Sequence, residues 1–116
     1  MKDCAENLFH GNWKSYKSFY QAGQIRQHSR KTYQEFEFGD NKLLTITRFQ
    51  DNKGKKLWKT NNWEVEFSNK KYFLNIEKGA VRYEIITINH VDMVLTEMEG
   101  HEKVFYARPV KWKELL

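Results

Sequence analysis

One cysteine, one proline and no long apolar run distinguish this 116-residue chain. The single Cys4 excludes an internal disulfide, and with it a stapled secreted scaffold. Lack of an apolar stretch of about 20 residues excludes a membrane-spanning helix. No apolar h-region follows Met1, so the sequence as it stands reads as cytoplasmic. Were residues to precede it, Cys4 would suit the lipid-bearing cysteine of a bacterial lipoprotein, making the protein periplasmic or lipid-anchored. Pro109 stands at the end of the last extended run, where it interrupts no ladder. Catalytic signatures are missing too: there is no serine elbow, and Cys4 has no plausible base. His10, His28, His90 and His101 show no metal spacing and fall outside every expected strand. No catalytic residue, metal, haem or other cofactor is therefore expected.

Aromatic residues are plentiful: eight Phe, six Tyr and four Trp. That favours strands over a helical bundle. With 40% hydrophobic and 30% charged residues, residues 1–116 suffice for one domain with a modest core and are too apolar for disorder. Net charge is +5, from 20 basic and 15 acidic residues, a balance that promotes loose contact with anions. The tightest basic groups, "KGKK" at 53–56 and "RKTY" at 30–33, read as solvated loops. Aromatics share strand parity with aliphatics while charges take the other parity. A single-strand nucleic-acid binder mixes both on one face, so no specific nucleic-acid partner is expected. Oligomeric state does not follow from the sequence.

Turn signals recur at 39–41, 51–54, 68–71, 77–80, 89–92 and 99–102, a spacing of about 8 to 12 residues typical of all-β sandwiches and barrels. Eight strands are expected between them: 11–20, 32–39, 42–50, 61–68, 71–77, 81–89, 92–99 and 102–108. "WEVEFS", "YFLNIE" and "YQEFEF" alternate with period 2, giving one dry face and one wet face. "VRYEIITI" and "VDMVLTEM" are apolar on both parities, from a bulge or a covered outer face. Helix is minor: one turn over "KDCAENLF" with Asp3 as cap, and a closing turn over "VKWKELL". The connection 20–31 is the longest and is placed near the barrel mouth. Pairing the first strand with the last hides the edges, so an eight-stranded antiparallel up-and-down barrel is expected, with a two-sheet sandwich as the alternative.

The "L-x-x-G-x-W" of Leu8, Gly11 and Trp13, the "N-W-E-V" around Trp63 and the "F-Y-A-R" ending at Arg108 resemble the lipocalin and calycin superfamily. The similarity is to small bacterial lipocalin-like domains. It implies that Trp13 lies across the closed end of the barrel with Arg108 packed on it, and that Gly11 lets the backbone pass close beneath. Two departures from the family are plain: there is no disulfide, and no room for a long outer helix after Pro109.

Inward parity places Phe36, Phe38, Leu44, Ile46, Trp63, Val65, Phe67, Tyr72, Leu74, Ile76, Tyr83 and Ile85 in the lumen, with Tyr106 beside them. An eight-stranded barrel either just fills its interior or leaves space for one small ligand. On the open reading, these side chains contact a small hydrophobic or amphipathic ligand. Arg48 then reaches inward at the rim to a carboxylate, unless strand twist turns it to solvent. Glu97 on its apolar strand is a base if inward, though a cross-strand ion pair is the commoner arrangement. Non-catalytic ligand binding is the expected role. The alternative is a packed barrel acting as a protein-interaction module through Phe73, Ile86 and Ile88.

Overall fold

The computed structural model describes residues 2–20, 23–50 and 53–116, with side chains from residue 6 onward. Asp3 and Cys4, named above as a cap and a lipid-bearing candidate, have side chains outside that description. A short helix α1 (Lys2–Phe9) leads into β1 (Gly11–Phe19) and β2 (Ile25–Gln27). There follow β3 (Tyr33–Phe38), a 3-10 turn at Asp40–Lys42, β4 (Leu44–Gln50) and β5 (Gly54–Thr60). The second half contains β6 (Trp63–Ser68), β7 (Lys71–Ile76), β8 (Val81–Ile88), β9 (Asp92–Glu97) and β10 (Lys103–Ala107). Helix α2 (Pro109–Leu115) ends the chain, with Pro109 in its first turn, where a missing N–H costs nothing. Among the described residues no helix is long and apolar enough to cross a membrane.

All ladders are antiparallel and belong to one strongly curled sheet, ordered β5-β4-β3-β1-β10-β9-β8-β7-β6, with β2 added beside β1. The first long strand pairs with the last, from Lys14 opposite Ala107 to Phe19 opposite Lys103. Turns follow local chemistry. Between Ser68 and Lys71, Asn69 and Lys70 both take positive φ, as a two-residue hairpin turn requires.

The fold is all-β and barrel-like, but the count of eight strands needs correction. Residues 54–60, outside every expected strand, form β5, and β2 is a further three-residue strand. Every residue of β5 before Thr60 is exposed. A strand wet on both faces shows no period-2 signal, and lysine is what an edge strand carries.

The extra strand has a consequence for closure. Nine strands joined by eight antiparallel ladders leave β5 and β6, the two ends of the path, running in the same direction. Closing the ring would need a parallel pair, and parallel neighbours need a crossover of a dozen or more residues. Only Asn61 and Asn62 link these two strands. Polar groups of this link are engaged elsewhere: the Asn62 N–H donates to Thr60 Oγ1 at 3.0 Å, and its carbonyl accepts the Glu77 N–H at 2.7 Å. The barrel therefore stays open between β5 and β6.

Two bulges set the facing of the strands around the core. One lies in β8 between Ile85 and Thr87. It turns Ile86 outward, while Ile85 and Ile88 both pack on the core, which accounts for the two apolar parities of "VRYEIITI". The other lies in β1 between Ser15 and Lys17, so that Ser15 and Ser18 are both buried.

At one end α1 seals the sheet. Phe9 is fully buried against Phe38 and Trp63, with ring centroids 5.1 and 6.0 Å away. The Trp13 indole N–H donates to the Phe9 carbonyl at 2.9 Å. The Arg108 guanidinium lies 3.8 Å from the centroid of the Trp13 ring. It also donates to the carbonyls of Leu8 and Asn12, at 3.0 and 3.3 Å, and to His90 at 3.3 Å. Gly11 sits below it at φ +105, where an added Cβ would fall 2.7 Å from Arg108 Nη1. On the outer face of β1, the buried Trp112 of α2 donates to the Ser15 carbonyl at 2.8 Å.

Gly11→Ala is expected to cost about 2–3 kcal/mol, because backbone strain adds to displacement of the guanidinium. Gly79→Ala, at φ +92 with nothing within 4 Å, carries backbone strain alone and should cost about 1 kcal/mol. Urea unfolding of both variants checks this; equal losses would show that the contact beneath Arg108 contributes nothing.

Candidate functional site

The interior divides into a packed part and a hollow part. Phe36, Phe38, Ile46, Trp63, Val65 and Leu74 lie in the buried core with Leu44 and Ile76. Phe36 stacks on Tyr106 at 5.2 Å and meets Tyr83 edge-on at 5.8 Å. Ile85 is partly buried against the same cluster. Tyr72 does not join it. It pairs with Phe67 at 4.8 Å at the far end of the β6–β7 hairpin, and the two are 37% and 62% exposed. Their parity is inward, but β6 is a terminal strand and nothing covers its last residues.

The outer surface proposed for protein contact is also rearranged. Phe73 is only 6% exposed, under the Arg82 guanidinium 3.7 Å from its ring. Arg82 is held there by Asn75 and Glu66, each at 3.1 Å. With Ile88 turned onto the core, Ile86 alone of the three stays exposed, at 44%.

Opposite the sealed end, where β3 begins and β4 finishes, a cavity of about 220 Å³ opens. It is smaller than the roughly 300–1,000 Å³ of drug-sized ligand sites. Its floor is a hydrogen-bonded network. Arg48 Nε donates to Gln34 Oε1 at 3.1 Å, and Gln34 Nε2 donates to the Tyr106 hydroxyl at 3.0 Å. The Tyr83 hydroxyl joins through Gln34 and Arg48. Burial raises the pKa of Tyr83 and raises that of Tyr106 still further, so both phenols stay protonated and available as hydrogen-bond donors or acceptors. Arg48 is exposed yet aimed along the inner face into this network, rather than free in solvent. Glu97 shares inward parity with Met93 and Leu95 and stands on the opposite wall.

His28, expected in a loop without a role, is the residue the sequence concealed. The N-terminal half of β1 pairs with β3 and the C-terminal half with β2. His28 sits where one partner leaves and the other arrives, its N–H bonded to the Tyr16 carbonyl at 3.0 Å. Its ring bridges Ser15 Oγ at 2.5 Å and Ser18 Oγ at 3.2 Å. Ser15 Oγ also accepts the Gln34 N–H at 2.8 Å. In the neutral ring one nitrogen donates to a serine hydroxyl and the other accepts from one, so a single tautomer satisfies both contacts. Two small inward side chains near the middle of a strand of large ones were the signal. The bulge that aligns them could not be placed.

Burial lowers the His28 pKa, Arg26 lowers it further, and Glu102 opposes both. Among the described residues no three His, Cys, Asp or Glu side chains come together. No protein-family model, curated protein or solved structure matches the chain.

The depressed His28 pKa has a signed consequence. Native His28 is neutral where the unfolded imidazole, with its ordinary pKa near 6.5, already binds a proton. Stability is then full above that pH, falls as pH drops through it, and levels below the folded value. A second ring proton would also make both nitrogens donors, so that neither serine hydroxyl could donate to the ring. Unfolding free energies measured from pH 8 to pH 5 are expected to fall more steeply for the native protein than for His28→Gln. Parallel curves would remove His28 from the acid response.

Proposed function

We propose that this chain is a non-catalytic binding protein of lipocalin-like architecture that holds one small amphipathic molecule at the open mouth of its curled sheet. The observation that supports this is the convergence of Arg48, Gln34, Tyr83 and Tyr106 on the 220 Å³ cavity. Four polar side chains from four strands point at one space. Beside them Val104 offers apolar contact, the mixture by which small sites hold and orient a ligand. Because aromatic side chains fill the core, the ligand is small and sits at the rim, unlike a long acyl chain threaded through a lumen. Arg48 is assigned as the group that receives its acidic end.

A second reading, contact with another protein, rests on the open seam. The end strands β5 and β6 each have one unpaired edge and leave Leu57, Trp58 and Phe67 exposed there. Exposed edges of this kind accept an added strand.

Amide NMR titration with fragment-sized amphipathic acids separates the two. The binding reading expects saturable shifts confined to residues 34, 48, 83, 97 and 106. Arg48→Ala should weaken an apolar acid by about tenfold, the scale of one charge-assisted hydrogen bond, and leave its neutral amide analogue unchanged. Equal weakening of both would remove the orienting role. No saturable shift at millimolar ligand would sink the mouth as a binding site.

A further inference from the structure

The charges around the mouth cavity are segregated by wall. Arg26 lies in β2 and Arg48 in β4, while Glu97 ends β9 and Glu102 precedes β10. In the sheet the basic side chains lie on one flank of β1 and the acidic ones on the other. None of the four pairs with an opposite charge on any other described residue. Arg48 bonds to Gln34, and Arg26 to the Tyr20 hydroxyl at 2.5 Å. His28, the remaining titratable cation on the lining, is neutral at pH 7.5 by the burial described above.

Two arginines and two glutamates facing one cavity without meeting across it form a site of split polarity. A ligand with a single negative charge gains from Arg48 but meets Glu97 and Glu102, and a single positive charge meets the reverse. Like charges disfavour, and opposite charges favour, across such distances in a partly dry site. One molecule that carries both charges satisfies both walls. At about 30 Å³ per water, 220 Å³ corresponds to roughly seven waters, space for a molecule of amino-acid size. Tyr83, Tyr106 and Val104 give the lining an apolar part that suits an apolar or aromatic skeleton.

We infer that the mouth is a site for a small zwitterion of amino-acid type. Its carboxylate is directed to the Arg48–Arg26 wall and its ammonium to the Glu97–Glu102 wall. This deepens the binding role proposed above and rests on it.

Calorimetric titration at pH 7.5 with four probes tests the inference: L-phenylalanine, 3-phenylpropanoate, 2-phenylethylamine and 3-phenylpropanamide. L-phenylalanine is expected to bind at least tenfold more tightly than each of the other three. Arg48→Gln should erase its advantage over the amine, and Glu97→Gln its advantage over the carboxylate. Phenylpropanoate binding as well as L-phenylalanine would overturn the zwitterion and leave the mouth as an acid site. Binding by none of the four would overturn the zwitterion and the small-molecule reading together.

Discussion

The stack of Arg108 on Trp13 is the contact on which the sealed end depends. One guanidinium faces an indole and three carbonyl oxygens, from Leu8 in α1, Asn12 in β1 and His90 before β9. An arginine serves here because its planar fork can stack and donate in several directions at once, which a lysine cannot do. Leu8 belongs to the last turn of α1, whose carbonyls have no partner within the helix. The same side chain thus caps a helix, covers the aromatic plug and joins the two ends of the chain. Gly11 has no side chain because the guanidinium occupies that place.

Beyond this clamp, the interior is organised by departures from regular pairing. The bulge in β1 aligns Ser15 with Ser18 and frees the Ser15 carbonyl for Trp112. His28 fills the notch left where β3 parts from β1. Polar groups exposed by each irregularity find partners in the next one, and among the described residues no buried side-chain nitrogen or oxygen lacks a hydrogen bond. The mouth is polar for this reason: the irregular half of β1 lies there, and the regular half lies under the aromatic core.

What could be read from the sequence follows the same division. β3, β6 and β7 alternate because each has a dry face, and their residues announce it. β5 does not, since water reaches both sides of "KKLWK" and the pattern carries no phase. The bulge at Ile86 was legible as an ambiguity of parity, because inserting one residue changes facing without changing composition. Tyr72 and Phe67 misled for the opposite reason: they keep the right parity at the turn end of a hairpin whose outer strand, β6, has no neighbour beyond it. His28, Glu97 and Glu102 line one cavity from the ends of β2, β9 and β10, and nothing local to any of them signals the others. Spacing is equally silent on residues at opposite ends of the chain, so Trp13 and Arg108 meet in the sequence only through a resemblance.

The odd count of nine strands along its path leaves this sheet without the hoop constraint of a sealed cylinder. In a closed barrel, strand number and shear together dictate the radius. Here no ladder spans the seam from Thr60 to Trp63, so girth is set by whatever the aromatic filling requires. A bulkier or slimmer side chain at Phe36 or Leu74 can be absorbed by widening or narrowing the slit, rather than by straining every strand. The two edges are tied at the Asn61–Asn62 link and by the paired bonds of Lys42 with Trp63, so any compliance along the circumference lies toward the other end of the slit.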